Sequence, residues 1–168
     1  MPIINKSIIN NLPSKHDFYI DESSYKNFDI QYAVDKYYGK DIEYVKKCYC
    51  KISSYEVLDD IRYIGINAFL YYILALFDYI MDISVASPKG VDNYDTICAL
   101  LEVLNEKILS NPNATKRIFS QIENFSQWII DNESEMNSDY IECDDLKLRY
   151  GQLLLMVRKY ESLGEHRA

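Results

Sequence analysis

Apolar residues recur along most of this chain at the three- and four-residue spacing that amphipathic helices require. The strongest pattern covers residues 55–84, and one of its stripes consists of Ile61, Ile64, Ala68, Tyr72 and Leu76. Other apolar residues cover most of the remaining circumference, which is typical of a helix that other helices surround. Residues 53–56 fit a capping box at its start. We therefore predict a central apolar helix over about residues 55–84, in which Gly65 marks a close helix crossing.

Weaker amphipathic patterns on both sides predict further helices. They cover residues 28–38, 42–52, 93–109, 114–131 and about 139–163. Gly39 is expected to end the first of these helices, and Asp41 is expected to cap the second. Asp92 or Asn93 is the predicted cap of the third.

No stretch of six residues alternates cleanly between apolar and polar positions, so no sheet is predicted. Residues 1–27 form the least regular part, within which residues 16–20 fit an extended segment packed on the body. The predicted fold class is all-α: a compact bundle of about five to seven helices around the central apolar helix. The length of 168 residues suits a single domain over residues 1–168.

Composition fits this fold and bears on location. The chain is 48% hydrophobic, which excludes a disordered tail, and its 5 glycines and 4 prolines suit long helices. The most apolar run, Tyr63–Phe77, is shorter than the about 20 residues that span a bilayer, so we predict no membrane association. The first residues do not fit a secretory signal, and four cysteines without one suit a reducing cytosol. We therefore expect a cytoplasmic protein.

The residue types that carry catalysis are sparse. His16 and His166 are the only histidines, and both lie outside the strong helical patterns. No zinc-protease, di-iron or phosphate-loop motif occurs. Cys143 lies in the first turns of the last predicted helix, where the dipole favours a thiolate, but the acidic residues beside it oppose one. We expect no enzyme activity, no catalytic residue, no cofactor and no metal.

One pair of carboxylates leaves an alternative open. Asp78 and Asp82 lie four residues apart, on one face of the predicted central helix. Such a pair fits a divalent cation, and it fits equally two solvated charges where the helix leaves the core. The second interpretation is preferred.

Charge is distributed unevenly. The net charge is −8, which disfavours binding to nucleic acid. Residues 131–145 contain seven acidic side chains and no basic one. Acidic residues near a helix N-terminus stabilise it, and a solvated loop needs no partner. Equally, an anionic run attracts a basic protein. Our candidate partner-binding residues are therefore Asp131, Glu133, Glu135, Asp139, Tyr140, Glu142, Asp144 and Asp145.

Tyrosine provides a second candidate surface. The chain has 16 tyrosines, and eight of them lie between residues 19 and 55, too many for one core. Tyrosine is common in protein interfaces because it combines a rigid apolar ring with a hydrogen-bonding tip. An AT-rich gene would also explain part of the excess. The sequence leaves open whether this third of the chain or the acidic run forms the interface.

In size, in acidity and in its run at residues 131–145, the chain resembles the small immunity proteins of bacterial contact-dependent growth inhibition and related polymorphic toxin systems. Those proteins share no motif, so no residue role follows. The resemblance implies a cognate toxin, often a nuclease, that is neutralised by one-to-one binding in the cytoplasm. We therefore predict a non-catalytic protein that binds a basic toxin domain through an acidic surface.

Two other functions remain possible from the sequence. A central apolar helix wrapped by amphipathic ones also resembles the viral Bcl-2-like immunomodulators, which bind host proteins through a groove. A helical bundle also suits an enzyme with a carboxylate metal site, although Glu-x-x-His pairs are missing.

Overall fold

Helices account for nearly all of the chain that the computed structural model describes, namely residues 11–49, 54–82, 91–136 and 145–165. The α-helices are α1 (Phe28–Tyr37), α2 (Ile42–Tyr49), α3 (Ser54–Arg62), α4 (Ile66–Met81), α5 (Val91–Ser110), the one-turn α6 (Pro112–Thr115), α7 (Phe119–Met136) and α8 (Leu146–Glu165). Three 3₁₀ helices cover Lys15–Phe18, Glu22–Lys26 and Lys116–Ile118. Within these ranges there is no strand, and seven α-helices have eight residues or more, so the all-α prediction is confirmed.

Helix α4 lies at the centre of the bundle. It packs against α2, α3 and α7 and against the first 3₁₀ helix. Every residue from Ala68 to Phe77 is buried, because the apolar side chains cover the whole circumference. A fully buried Leu, Ile or Phe stabilises a fold by about 1.5–3 kcal/mol. This part of the predicted central helix is confirmed. No helix in the described ranges combines the length and apolarity needed to cross a bilayer.

The prediction of one continuous helix over residues 55–84 is wrong. The chain leaves the helical conformation after Arg62 and starts α4 at Ile66, with Gly65 as its N-cap. The amide N–H of Gly65 donates a hydrogen bond to the carbonyl oxygen of Phe18, at 2.8 Å. The sequence analysis expected Gly65 to mark a close crossing of two helices. Its close neighbour is instead the backbone at the end of the first described 3₁₀ helix. Residues 50–53 and 83–84 lie outside the described part, including the start of the predicted capping box.

The N-terminal segment is more ordered than its sequence suggests. Residues 11–27 contain two 3₁₀ helices, where the sequence predicted an irregular segment, while residues 1–10 lie outside the described part. Phe18 is fully buried, and its ring centroid lies 5.7 Å from that of Tyr72. The chain becomes extended at Tyr19. The prediction that residues 16–20 pack on the body is confirmed, although their first half is a 3₁₀ turn.

A network of polar side chains joins α1 to α3 and α4. The Tyr72 hydroxyl donates to the carbonyl oxygen of Tyr37 at 2.6 Å, and the Tyr37 hydroxyl donates to Asp60 at 2.8 Å. Asp60 also pairs with the ammonium group of Lys36 at 2.6 Å. Burial and the hydrogen bond to Asp60 raise the pKa of the Tyr37 hydroxyl far above its usual value. The phenols of Tyr37 and Tyr72 are therefore hydrogen-bonded, as most buried polar groups are, whereas the buried hydroxyl of Tyr49 has no hydrogen-bond partner among the described residues.

The predicted helix ends agree with the structure unevenly. Gly39 has a positive φ of 73° after α1, and Asp41 accepts a hydrogen bond from the amide of Tyr44 at 2.8 Å, so both predictions are confirmed. Asp92 and Asn93 lie inside α5, which already begins at Val91, so their capping roles are wrong. Helix α7 begins at Phe119, later than predicted, because α6 and a 3₁₀ turn occupy residues 112–118. Proline is well tolerated at the first position of a helix such as α6.

We expect Gly65→Ala to destabilise the fold. A Cβ at this position would lie 2.7 Å from the carbonyl oxygen of Tyr19 and closer still to that of Asp17, and neither backbone group can move easily. The expected loss is about 2–3 kcal/mol in the free energy of unfolding, measured by urea denaturation. Gly151→Ala is the matched control, because nothing lies within 4 Å of the added Cβ in the middle of α8. That variant should gain about 0.5–1 kcal/mol. Equal stability of the two variants would contradict the packing described for Gly65.

Candidate functional site

The described residues of the acidic run lie at one end of the helix pair α7 and α8. Asp131 and Glu133 belong to the last turns of α7, and Asp145 immediately precedes α8. Glu135 is also in α7, but its side chain is outside the described part. The remaining candidate residues fall outside the described ranges: Asp139, Tyr140, Glu142 and Asp144.

Two of these carboxylates meet at the first turn of α8. Asp145 caps the helix, because its Oδ1 accepts a hydrogen bond from the amide of Leu148 at 2.9 Å. Glu133 reaches across from α7, and its Oε1 accepts from the amide of Lys147 at 3.2 Å. Both bonds use amides that the helix itself leaves without a partner. Part of the acidic run therefore stabilises α8, as the helix-dipole interpretation predicted.

The described carboxylates of the run have no basic side chain as an ion-pair partner among the described residues. Asp131 is exposed and accepts one hydrogen bond, from the side-chain amide of Gln127 at 2.9 Å. In the part of the chain that the structure describes, none of Asp131, Glu133 and Asp145 forms an ion pair. Leu148 lies on the same first turn of α8 and is 58% exposed. We call Asp131, Glu133, Asp145 and Leu148 the acidic surface.

The tyrosine-rich third of the chain exposes aromatic rings. Phe28 is 84% exposed at the start of α1, and Tyr32 is exposed one turn later on the same helix. Tyr25, three residues before Phe28, is also exposed and stacks on Tyr19 at a centroid distance of 4.1 Å. Because tyrosines 25, 32, 38 and 44 are all exposed, the prediction that this region holds too many for one core is confirmed. We call Tyr25, Phe28 and Tyr32 the aromatic surface.

The carboxylate pair of α4 already has a cation. The ammonium group of Lys46 in α2 lies 3.2 Å from both Asp78 and Asp82. The preferred interpretation of two solvated charges is therefore wrong, because both carboxylates are half-buried against a lysine. Burial opposes the charge on Lys46, but its hydrogen bonds to the two carboxylates raise its pKa above the usual 10.5. Across the described residues, no three His, Cys, Asp or Glu side chains are grouped to hold a metal ion.

The other candidate reactive groups are dispersed. His16 is exposed, and its Nδ1 lies 3.0 Å from the hydroxyl of Tyr25. Cys48 in α2 and Cys98 in α5 are half-buried thiols that are not part of a disulfide. Cys50, Cys143 and His166 lie outside the described ranges. Among the described residues, His16 therefore contacts a tyrosine hydroxyl and no cysteine.

A cleft of about 290 Å³ opens where the N-terminal segment crosses the junction of α3 and α4. Side chains from residues 16–20 form one wall, side chains from residues 64–67 form the second, and Lys107 with Asn111 forms the third. We call it the junction cleft. It exists because Gly65 holds the N-terminal backbone across the gap between the two helices.

Lys107 is the unexpected residue of this cleft. It is 8% exposed and is the only charged residue buried among those whose side chains are described. Its ammonium group lies over the ring of Phe69, 5.0 Å from the centroid. Burial lowers the pKa of Lys107, and the nearby charges of Glu106 and Arg62 act on it in opposite directions. Sequence analysis missed it, although its position three residues after Leu104 places it on the buried stripe of α5.

Together these features define an all-α bundle with an acidic surface at the α7–α8 end, an exposed aromatic surface and a cleft that contains a buried lysine. No protein-family model matches the sequence, and no curated protein or solved structure matches significantly.

We expect Lys46→Met to destabilise the protein by about 1–3 kcal/mol, because Asp78 and Asp82 would then face each other without their cation. Since the pKa of Lys46 is raised in the folded state, its stabilisation is present below pH 10.5 and is lost as the pH rises through the folded value. Urea denaturation across this range should show the two proteins converging at high pH. Lys47→Met, an exposed neighbour, should change stability by less than about 0.5 kcal/mol. A similar loss from both substitutions would contradict the ion-pair assignment.

We expect Lys107→Met to stabilise the protein at neutral pH, because it removes a buried charge while it keeps the apolar stem over Phe69. The pKa of Lys107 is lowered in the folded state, so the cost of its charge is complete below the folded pKa and disappears as the pH rises to 10.5. The difference in unfolding free energy between variant and parent should therefore narrow with rising pH. A variant that is less stable than the parent at pH 7 would contradict this account.

Proposed function

We propose that this protein is a non-catalytic binding protein that neutralises a basic toxin domain, of nuclease type, by one-to-one association in the cytoplasm. The observation that carries the proposal is the acidic surface, whose carboxylates have no ion-pair partner among the described residues. Like charges that share a surface repel one another, and a cationic partner would relieve that repulsion.

The acidic surface also has the composition of an interface. Leu148 provides an exposed apolar side chain on the first turn of α8, where Asp145 accepts a hydrogen bond from the amide of Leu148 itself and Glu133 accepts one from the amide of Lys147. Apolar anchors with a polar border are typical of protein interfaces. A nuclease binds phosphates with arginine and lysine side chains, so a surface that presents several carboxylates resembles its substrate in charge. Occupation of that groove would block the nuclease without any chemistry on this chain.

The aromatic surface supports protein binding independently. Phe28 is 84% exposed, so most of its apolar surface is in contact with water in the free protein. A partner that covers this ring would gain the hydrophobic free energy of its burial. Acidic residues 21, 22, 29 and 35 are exposed on the same segment. The two surfaces are alternative contact sites for the same function, and substitutions in each distinguish them.

The first test is coexpression with the toxin-like genes in the immediate neighbourhood of this gene. Cells that produce a basic nuclease domain should survive only when this protein is present, and the two proteins should copurify in equal amounts. Survival that is independent of this protein, or copurification with anionic partners alone, would contradict the proposal.

The triple variant Asp131→Asn, Glu133→Gln, Asp145→Asn should slow association with the basic partner about tenfold at low ionic strength and reduce its dependence on salt. The substitutions remove charge but keep the hydrogen-bond acceptors, so α8 retains its caps. The control variant Glu56→Gln, Asp59→Asn, Asp95→Asn removes the same charge from exposed positions outside both surfaces. Surface plasmon resonance at several salt concentrations measures both rates.

The acidic surface would be excluded as the interface if both triple variants slowed association equally. In that case Phe28→Ser should weaken binding, while Leu155→Ser, which changes an exposed leucine on α8, should leave binding unchanged.

A further inference from the structure

The junction cleft has the form of a small ligand site. Its volume of about 290 Å³ is near the lower end of the roughly 300–1,000 Å³ that small-molecule sites occupy in proteins. It lies between three separate parts of the chain, so its walls are held by the core and do not depend on one loop. It is also distinct from the acidic surface, and neither proposal requires the other.

A buried cation without an anion is the key feature of this cleft. Lys107 is more than nine-tenths buried, and in the described part of the chain its ammonium group has no hydrogen-bond or ion-pair partner. Its contact with the Phe69 ring is weaker than an ion pair. Buried charges are normally paired, because the loss of solvation is costly. An anion from solution is the partner that this position lacks.

The carboxylate that shares the cleft is already engaged. Asp17 accepts hydrogen bonds from the amide and the hydroxyl of Ser14, at 2.8 and 2.7 Å, and from the side-chain amide of Asn67 at 3.1 Å. Asn67 is fixed in turn, since its oxygen accepts a hydrogen bond from Arg117 at 3.0 Å. Asp17 therefore holds the wall of the cleft together and leaves Lys107 available.

The rest of the lining mixes apolar and polar side chains. Ile20 comes from the N-terminal segment, and Ile64 and Ile66 come from the two sides of the α3–α4 junction. Asn111 adds a side-chain amide next to Lys107. The three isoleucines favour a ligand that carries a compact apolar body beside its anionic end.

We propose that the junction cleft binds a small organic anion, whose carboxylate pairs with the ammonium group of Lys107 and whose apolar body packs against Ile20, Ile64 and Ile66.

The test uses benzoate as the probe and benzamide as its neutral counterpart of the same shape. Amide chemical shifts of the full chain are followed by NMR during each titration. Benzoate should shift the resonances of residues 16–20, 64–67 and 107–111, and its affinity should exceed that of benzamide about tenfold, because only benzoate forms the charge-assisted contact. Benzoate should also raise the pKa of Lys107, measured from its side-chain resonances.

Lys107→Met should reduce the affinity for benzoate to that for benzamide, while Lys159→Met, at an exposed position of α8, should leave it unchanged. Circular dichroism and urea denaturation confirm that each variant is folded. Equal binding of benzoate and benzamide by the parent, benzoate binding that survives Lys107→Met, or no shift in the cleft up to the solubility of benzoate would each overturn the proposal.

Discussion

The contact between Gly65 and the backbone of residues 17–19 determines where the longest apolar stretch of the chain begins its central helix, α4. Because the Gly65 amide donates a hydrogen bond to the Phe18 carbonyl, α3 and α4 are separate helices, and the N-terminal segment packs against their junction. Phe18 enters the core next to Tyr72. The junction cleft is a product of the same contact, so core packing and the candidate ligand site share one origin.

Buried polar groups in this bundle differ in whether they have a hydrogen-bond or ion-pair partner. The phenols of Tyr37 and Tyr72, with Lys36 and Asp60, form a closed set in which each charge and hydroxyl has a partner. Lys107 has none within the described residues, although it is buried more completely than Lys36. The first arrangement is what a stable fold requires. The second is unfavourable for stability alone, and that contrast separates a structural cluster from a candidate site.

Much of the fold follows from local patterns. The stripes of α5, α7 and α8 are predictable because their apolar residues recur every three or four positions and face the core, as Leu104, Ile122 and Leu153 do. The break before α4 is not predictable in this way, because its cause lies far away in sequence at Phe18. Similarly, the charge on Lys107 predicts an exposed side chain, whereas its spacing from Leu104 predicts a buried one. Only the packing of the N-terminal segment shows that the side chain is buried. The acidic run is visible in the sequence, but the capping roles of Glu133 and Asp145 require the hairpin.

The double use of Glu133 and Asp145 has a thermodynamic consequence for any partner that contacts them. A cationic side chain that takes either carboxylate competes with the amides of Lys147 and Leu148 at the start of α8. Complex formation and fraying of this helix end are then linked equilibria, in which each shifts the other by the same free energy. A stiffer first turn would weaken the complex, and a tighter complex would loosen the turn.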